Sequence, residues 1–239
     1  MKFNKIFYLL YLQKNHPECL IKLVPGVTAF AAAAAAAAAV PQSRRGGGLK
    51  KIKIGHAGTL DPLATGLLII CTGKFTKRLA VVQSQEKTYT GTITLGGTTP
   101  SYDLETEINN NYKTKHLTES LIYNTASQFI GEIDQKPPIF SAIKKNGERL
   151  YKKARRGEKI AIESRKVFIE LFKITSIENL NVNFEIKCSK GTYIRSIAND
   201  FGAKLNSGAH LSKLCRTAIG NYNLSSSISV ENFEKKLNI

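Results

Sequence analysis

Beyond residue 49 the spacing of apolar and polar positions is regular enough to place most elements. Residues 67–71 form an unbroken apolar run bounded by Gly66 and Gly73, which predicts a buried strand. Residues 87–95 set Tyr89, Ile93 and Leu95 among threonines and end at Gly96-Gly97, the pattern of a half-buried strand. Helical spacing of Leu121, Ile122, Ala126, Phe129 and Ile130 follows Thr118, a suitable N-cap, and Gly131 closes the segment. Pro137-Pro138 forces an extended loop. Residues 167–177 and 182–188 read as an antiparallel pair across 178–181, since Val182, Phe184, Ile186 and Cys188 alternate. Ile194, Ile197, Ala198, Phe201 and Leu205 lie on one helical stripe, predicting a helix over 193–205 with Thr192 as its cap. Strands and helices mix without a regular βαβ alternation, so the predicted class is α+β with a mainly antiparallel sheet.

The pattern lapses near the start. Residues 31–39 are nine consecutive alanines, either a low-complexity insert or a stand-in for residues of unestablished identity. Such a run has no side chains to build a packing face. Arg44-Arg45-Gly46-Gly47-Gly48 follows as a flexible connector, so residues 31–48 carry little information. We divide the chain into an N-terminal extension, 1–23, and one domain over 24–239. The apolar stretch at residues 6–12, closed by Gln13 and Lys14, sits at the short limit for a secretory leader and reads as a packing or fraying terminus.

Length and composition narrow the function classes. The 239 residues suit a single core, and 42% hydrophobic residues with 9 Tyr and 11 Phe exclude a disordered polyelectrolyte. Lys and Arg number 35 against 18 Asp and Glu, a net +17, which implies a polyanionic partner. No apolar run reaches the roughly 18–20 residues of a membrane span. Cys19, Cys71, Cys188 and Cys215 form no C-x-x-C pair, which argues against a zinc ribbon and for reduced cytosolic thiols. Residues 144–159 concentrate the charge: Lys144, Lys145, Arg149, Lys152, Lys153, Arg155, Arg156 and Lys159 against Glu148 and Glu158, a local +6. With Tyr151 interleaved, this run predicts contacts to a nucleic-acid backbone.

The densest chemistry lies in Gly55-His56-Ala57-Gly58-Thr59-Leu60-Asp61-Pro62-Leu63-Ala64-Thr65-Gly66. Three glycines permit unusual backbone angles and the close approach of another chain. Asp61 before Pro62 is held at a fixed turn. Taken alone, Asp-Pro-Leu-Ala equally describes a helix start with Asp61 as N-cap.

The whole string resembles the signature loop of the TruB family of pseudouridine synthases, Gly-His-x-Gly-Thr-Leu-Asp-Pro-Leu-Ala-Thr-Gly. Lys87-Thr88-Tyr89 resembles the family's Lys-x-Tyr strand. Gln135-Lys136-Pro137-Pro138 with Ser141-Ala142-Ile143-Lys144 resembles its Pro-Pro-x-x-Ser-Ala loop, and the pattern continues through residues 150–157. Gly191-Thr192-Tyr193-Ile194-Arg195 and Gly208-Ala209-His210-Leu211 through Leu214-Cys215-Arg216-Thr217 resemble its closing motifs. The similarity covers about residues 49–222.

That resemblance implies the pseudouridine synthase fold and the isomerisation of uridine 55 in the T loop of tRNA, with base flipping and with neither cofactor nor metal. It implies Asp61 as the catalytic carboxylate, Arg195 as the cation that pairs with and orients it, and Tyr89 as the aromatic that stacks on the flipped base with its hydroxyl near C5. His56 would help fill the space the base leaves, while Tyr193 and Leu214 would line its pocket. Lys152, Lys153, Arg155 and Arg156 would meet RNA phosphates. The implied partner is the tRNA T stem-loop, bound in the cytoplasm by a monomer without an obligatory protein partner. As isolated residues, Arg195 reads as a solvated residue of a first helical turn and Leu214 as plain core.

Two departures qualify the picture. The lead-in, Val24-Pro25-Gly26-Val27-Thr28-Ala29-Phe30, lacks the family's lysine, and the C-terminal PUA-like domain of many relatives is expected to be missing or vestigial. The rival reading is a non-catalytic RNA-binding or RNA-folding protein on the same scaffold; intact Asp61, Tyr89 and Arg195 favour the enzyme.

Overall fold

A computed structural model describes residues 19–23, 53–141, 143–145, 147–158 and 160–229. The alanine run, the lead-in and the apolar stretch at residues 6–12 lie outside the described residues. In chain order the strands begin with β1 (Cys19–Leu23), β2 (Ile54–His56) and β3 (Thr65–Thr72), followed by helix α1 (Leu79–Ser84). Next come β4 (Lys87–Leu95), β5 (Gly97–Thr98), β6 (Asn110–Asn111), α2 (Glu119–Ser127) and β7 (Gly131–Gln135). A small hairpin, β8 (Lys144–Lys145) and β9 (Glu148–Arg149), leads into α3 (Leu150–Arg155). Strands β10 (Arg165–Glu178) and β11 (Asn181–Cys188) precede α4 (Ile194–Lys204), and β12 (Ala209–Ile219), β13 (Tyr222–Asn223) and β14 (Ile228–Ser229) complete the order. The class is α+β, and most strand pairs are antiparallel, as the sequence pattern predicts.

Two compact units emerge, one built from residues 1–87 with 215–239 and the other from 88–214. In the first, β3 is the hub. It pairs antiparallel with β1, placing Ile21 opposite Leu68. Its other edge is shared: β2 pairs antiparallel with the end of β3, His56 opposite Ile70, while Arg216 of β12 pairs in parallel with Gly66 at its beginning. Leu67, Leu68, Ile69 and Ile70 are all at most 1% exposed, so β3 is buried on both faces, which is why it reads as a continuous apolar run rather than an alternating one. Ala57, Leu67, Ile69, Cys71, Val82 and Ile219 form the core, flanked by Phe75, Leu79, Tyr222 and Leu224.

The second unit is a sheet in the order β12, β4, β11, β10, β7. Strand β4 has the bounds the pattern predicts. Strands β10 and β11 pair as expected, Phe172 opposite Ile186, and Asn179 makes the reversal at φ 56°. Phe129, Phe172, Phe184 and Phe201 meet edge-on or tilted, with centroids 5.5–6.1 Å apart, packing α2 and α4 against the sheet. At nine residues, α2 is too short to persist on its own propensity. Thr118 caps it by accepting the Leu121 N–H at 3.2 Å, and burial of Ile122, Ala126 and Phe129 holds it in place.

Three expectations need correction. Gly131 does not end α2, which stops at Ser127; it opens β7 at φ 101°. Thr192 does not cap α4. Its hydroxyl donates to Ser189 O; the N-cap residue is Tyr193, whose own N–H is accepted by the Gln135 side chain at 2.7 Å. Arg195, read in isolation as a solvated first-turn residue, is 2% exposed.

Candidate active site

The signature loop leaves β2 and returns to β3 along one edge of that strand. Ala57 N–H still bonds Ile69 O at 2.9 Å, after which residues 58–64 swing away. No helix follows Pro62. Asp61 O accepts the Ala64 N–H at 3.0 Å in a single turn, and β3 begins at Thr65, which excludes the helix N-cap alternative. Leu60 and Ala64 are buried on either side while Asp61 stays partly exposed, so two apolar anchors hold the turn that carries the carboxylate. Arg216 lies beneath the loop and donates to Leu67 O at 2.9 Å and Gly58 O at 3.1 Å. His56 precedes the loop, its carbonyl accepting from the Gln83 amide at 3.1 Å. Burial, aided by the nearby Arg216 charge, lowers its pKa below the ordinary 6.5, leaving the ring neutral at pH 7.

The second unit supplies the other groups. Arg195 sits in the first turn of α4, where residues 194–198 are all buried. Its guanidinium is held from three sides. Nε faces the Asp103 carboxylate at 3.6 Å, Nη1 donates to Ser101 O at 3.3 Å and Nη2 to Phe140 O at 3.1 Å. The Asp103 segment is itself stapled. Thr99 and Ser101 hydroxyls donate to Asp103 O at 2.6 and 3.1 Å, Ser101 and Thr106 share a 2.8 Å hydroxyl contact, and Asp103 Oδ1 accepts the Glu105 N–H at 3.0 Å. Tyr102 between them takes φ 65°, a conformation rare for a bulky residue and concentrated at functional turns. The Pro137-Pro138 loop is tied to the same helix by the Ser196 hydroxyl, 2.7 Å from Lys136 O.

Tyr89 lies on β4 and Leu214 on β12, each 9% exposed. Tyr193 marks the start of α4; both its backbone groups engage the side-chain amide of buried Gln135, and Arg165 stacks 4.9 Å from its ring centre. Asp61 and His56 thus belong to the first unit, and Tyr89, Arg195, Tyr193 and Leu214 to the second.

In the basic insert, Leu150 N–H and Tyr151 N–H bond the carbonyls of Ile143 and Ser141, seating α3 on the chain that precedes it. Lys152 is exposed and Lys153 half-buried. Arg156 grips Glu148 with two bonds of 2.7 and 2.8 Å and Glu158 with a third of 2.8 Å. The side chain of Arg155 lies outside the described ones. Sequence reasoning treats these four cations alike, whereas Arg156 has carboxylate partners within the insert itself.

Asp103, Gln135 and the contacts of Arg216 escape sequence reasoning. Gln135 and Arg216 fall within quoted motifs without an assigned task, and Asp103 sits in an irregular Thr-Thr-Pro-Ser-Tyr-Asp stretch with no periodic signal.

The profile of the TruB family pseudouridylate synthase (N terminal domain) matches residues 45–194. A protein of Flavobacterium johnsoniae named tRNA pseudouridine synthase B is 62% identical over 79% of this chain and 82% of its own length. Its namesake in Phocaeicola vulgatus is 49% identical over 80% of this chain and 81% of its own. Among solved structures, a Cbf5-Nop10-Gar1 complex shares the fold with a TM-score of 0.66 and 25% identity over 93% of this chain. An H/ACA ribonucleoprotein bound to a substrate RNA containing 2'-deoxyuridine gives 0.65 and 23% over the same share. This chain spans 56% and 55% of those two chains. With the family profile matched over residues 45–194 and 62% identity to the Flavobacterium johnsoniae protein over most of both chains, the chain belongs to the TruB family of pseudouridine synthases.

Proposed function

We propose that this protein isomerises uridine 55 in the T loop of tRNA to pseudouridine. The observation that carries the reading is the tight turn that holds Asp61 between buried Leu60 and Ala64, within a chain 62% identical to a tRNA pseudouridine synthase B. The target base is stacked inside a folded loop, so it must first be flipped out, at a cost of a few kcal/mol. Asp61 then either attacks C1′ or removes a sugar proton to give a glycal, and in both routes the N1–C1′ bond breaks. The base turns, C5 bonds to C1′, and the C5 proton is lost while N1 gains one, so atoms and charge balance without an oxidant or a leaving group.

Arg195 is assigned to orient and electrostatically support the Asp61 carboxylate. Its buried, three-sided hold supports that assignment, because a guanidinium so fixed loses little entropy on binding. Tyr89 is assigned to stack on the flipped base and to serve the C5 proton transfer. His56, neutral and half-buried, suits the filling of vacated space, and Tyr193 and Leu214 the lining of the pocket. Lys152, Lys153 and Arg155 are assigned to phosphates, and Arg156 would join them only on release from Glu148 and Glu158; the T-loop shape supplies selectivity. No protein partner is invoked for the reaction, which we place in the cytoplasm. Among the described residues no helix is long and apolar enough to cross a membrane.

Tritium release from C5-labelled uridine in a T-arm transcript tests the proposal. Release by the wild type and none by Asp61→Asn is expected. Equal release by both would remove Asp61 from its role, and binding without release by the wild type would favour a non-catalytic RNA-binding protein.

A further inference from the structure

Arg216 is 2% exposed and, among the described residues, faces no carboxylate that would offset its charge; its acceptors are all main-chain carbonyls. Nε donates to Leu67 O at 2.9 Å, Nη2 to Gly58 O at 3.1 Å, and Nη1 reaches Thr59 O at 3.5 Å. Burying a guanidinium costs several kcal/mol that an apolar side chain of similar bulk would avoid. The charge therefore calls for a reason beyond packing, and its acceptors supply one.

Gly58 and Thr59 stand three and two positions before Asp61, and Leu67 lies on the limb that returns after it. One side chain ties together both limbs of the loop that carries the carboxylate. The strand beneath leaves no slack. A Cβ on Gly66 would lie 2.3 Å from Arg216 O and 2.5 Å from Arg216 N, so β12 and β3 touch backbone to backbone at the point where the guanidinium departs.

We propose that Arg216 is a positioning residue. It sets the height and direction from which Asp61 is presented to the sugar, without touching the RNA itself. The inference rests on Asp61 being the catalytic carboxylate. The same cation also acts on the His56 ring, which provides a reporter of the anchor independent of turnover.

The test compares full-length R216K and R216M with the wild type. Lysine keeps the charge but cannot span three carbonyls, and methionine keeps the bulk but removes the charge. For R216K we expect the single-turnover rate on saturating T-arm transcript to fall roughly ten- to hundredfold, the range that a small misplacement of a reacting group costs. KM should stay within about threefold and the thermal midpoint within about 4 °C, the shift that ~1 kcal/mol produces. R216M should in addition raise the His56 midpoint measured by proton NMR, which R216K leaves near that of the wild type. Wild-type turnover by R216K overturns the inference. So does a variant that fails to fold, or one in which rate, KM and thermal midpoint decline together, since each makes Arg216 merely structural. An inactive wild type would instead bring down the functional proposal, leaving the His56 titration as the readout of the anchor.

Discussion

Arg195 and Asp103 face each other at 3.6 Å with side chains only 3% and 5% exposed. Removing one partner of so dry a pair withdraws part of the support of a buried charge, which generally costs more than the pair contributes. Asp103→Asn should therefore destabilise the protein by about 3 kcal/mol and, by loosening Arg195, lower the rate of pseudouridine formation by roughly a hundredfold. Urea unfolding and single-turnover assays on one preparation check both. Unchanged rates would mean that Arg195 keeps its place without Asp103.

His56 should titrate below 6.5, since burial and Arg216 both disfavour its cation. The folded protein then binds this proton less readily than the unfolded chain does. The resulting stability is present above about pH 6.5 and is lost as pH falls through the folded-state midpoint. The Cε1 proton shift of His56 followed between pH 4 and 8, with His56→Gln identifying the resonance, measures it; a midpoint above 6.5 contradicts the reading.

Salt dependence separates the cations of the insert. Each phosphate contact contributes about 0.7–0.9 to the slope of log affinity against log salt. Replacing Lys152 and Lys153 together by alanine should flatten the slope for a T-arm transcript by about 1.5. Arg156→Ala should change it by less than about 0.5, because Arg156 is already engaged by Glu148 and Glu158. Filter binding from low to moderate salt distinguishes the two, and equal effects would show that RNA displaces the carboxylates.

Gly91 lies on β4, where an added Cβ would sit 2.3 Å from Lys213 O and 2.8 Å from Phe184 Cζ. A backbone carbonyl in the middle of a sheet cannot retreat, so Gly91→Ala should cost about 2–3 kcal/mol. Denaturant midpoints decide it; a loss under about 0.5 kcal/mol would mean that the strands separate without penalty.

Legibility in the sequence followed the range of the interaction. Strand β4 and the β10–β11 pair are readable because alternation and turn residues are local signals, and the family is readable because the loop around Asp61 is one continuous string. The start of α4 is not legible because the Tyr193 N–H is held by Gln135, 58 residues away, while the adjacent Thr192 hydroxyl donates to Ser189 O. Asp103 stayed hidden for the same reason: nothing near it in sequence announces that a buried arginine will face it. The insert's cations looked equivalent because composition counts charges but does not pair them.

The anchoring contacts also bear on when the site can exist during synthesis. Arg195 bonds Ser101 across 94 residues and Phe140 across 55, and Arg216 bonds Gly58 across 158. Each closes a long loop, and closure of that kind slows folding more than it alters final stability. A nascent chain halted before residue 216 lacks the support of its signature loop even though that loop was made long before. Competence for chemistry thus waits on residue 216, and fragments that stop before it should be silent rather than partly active.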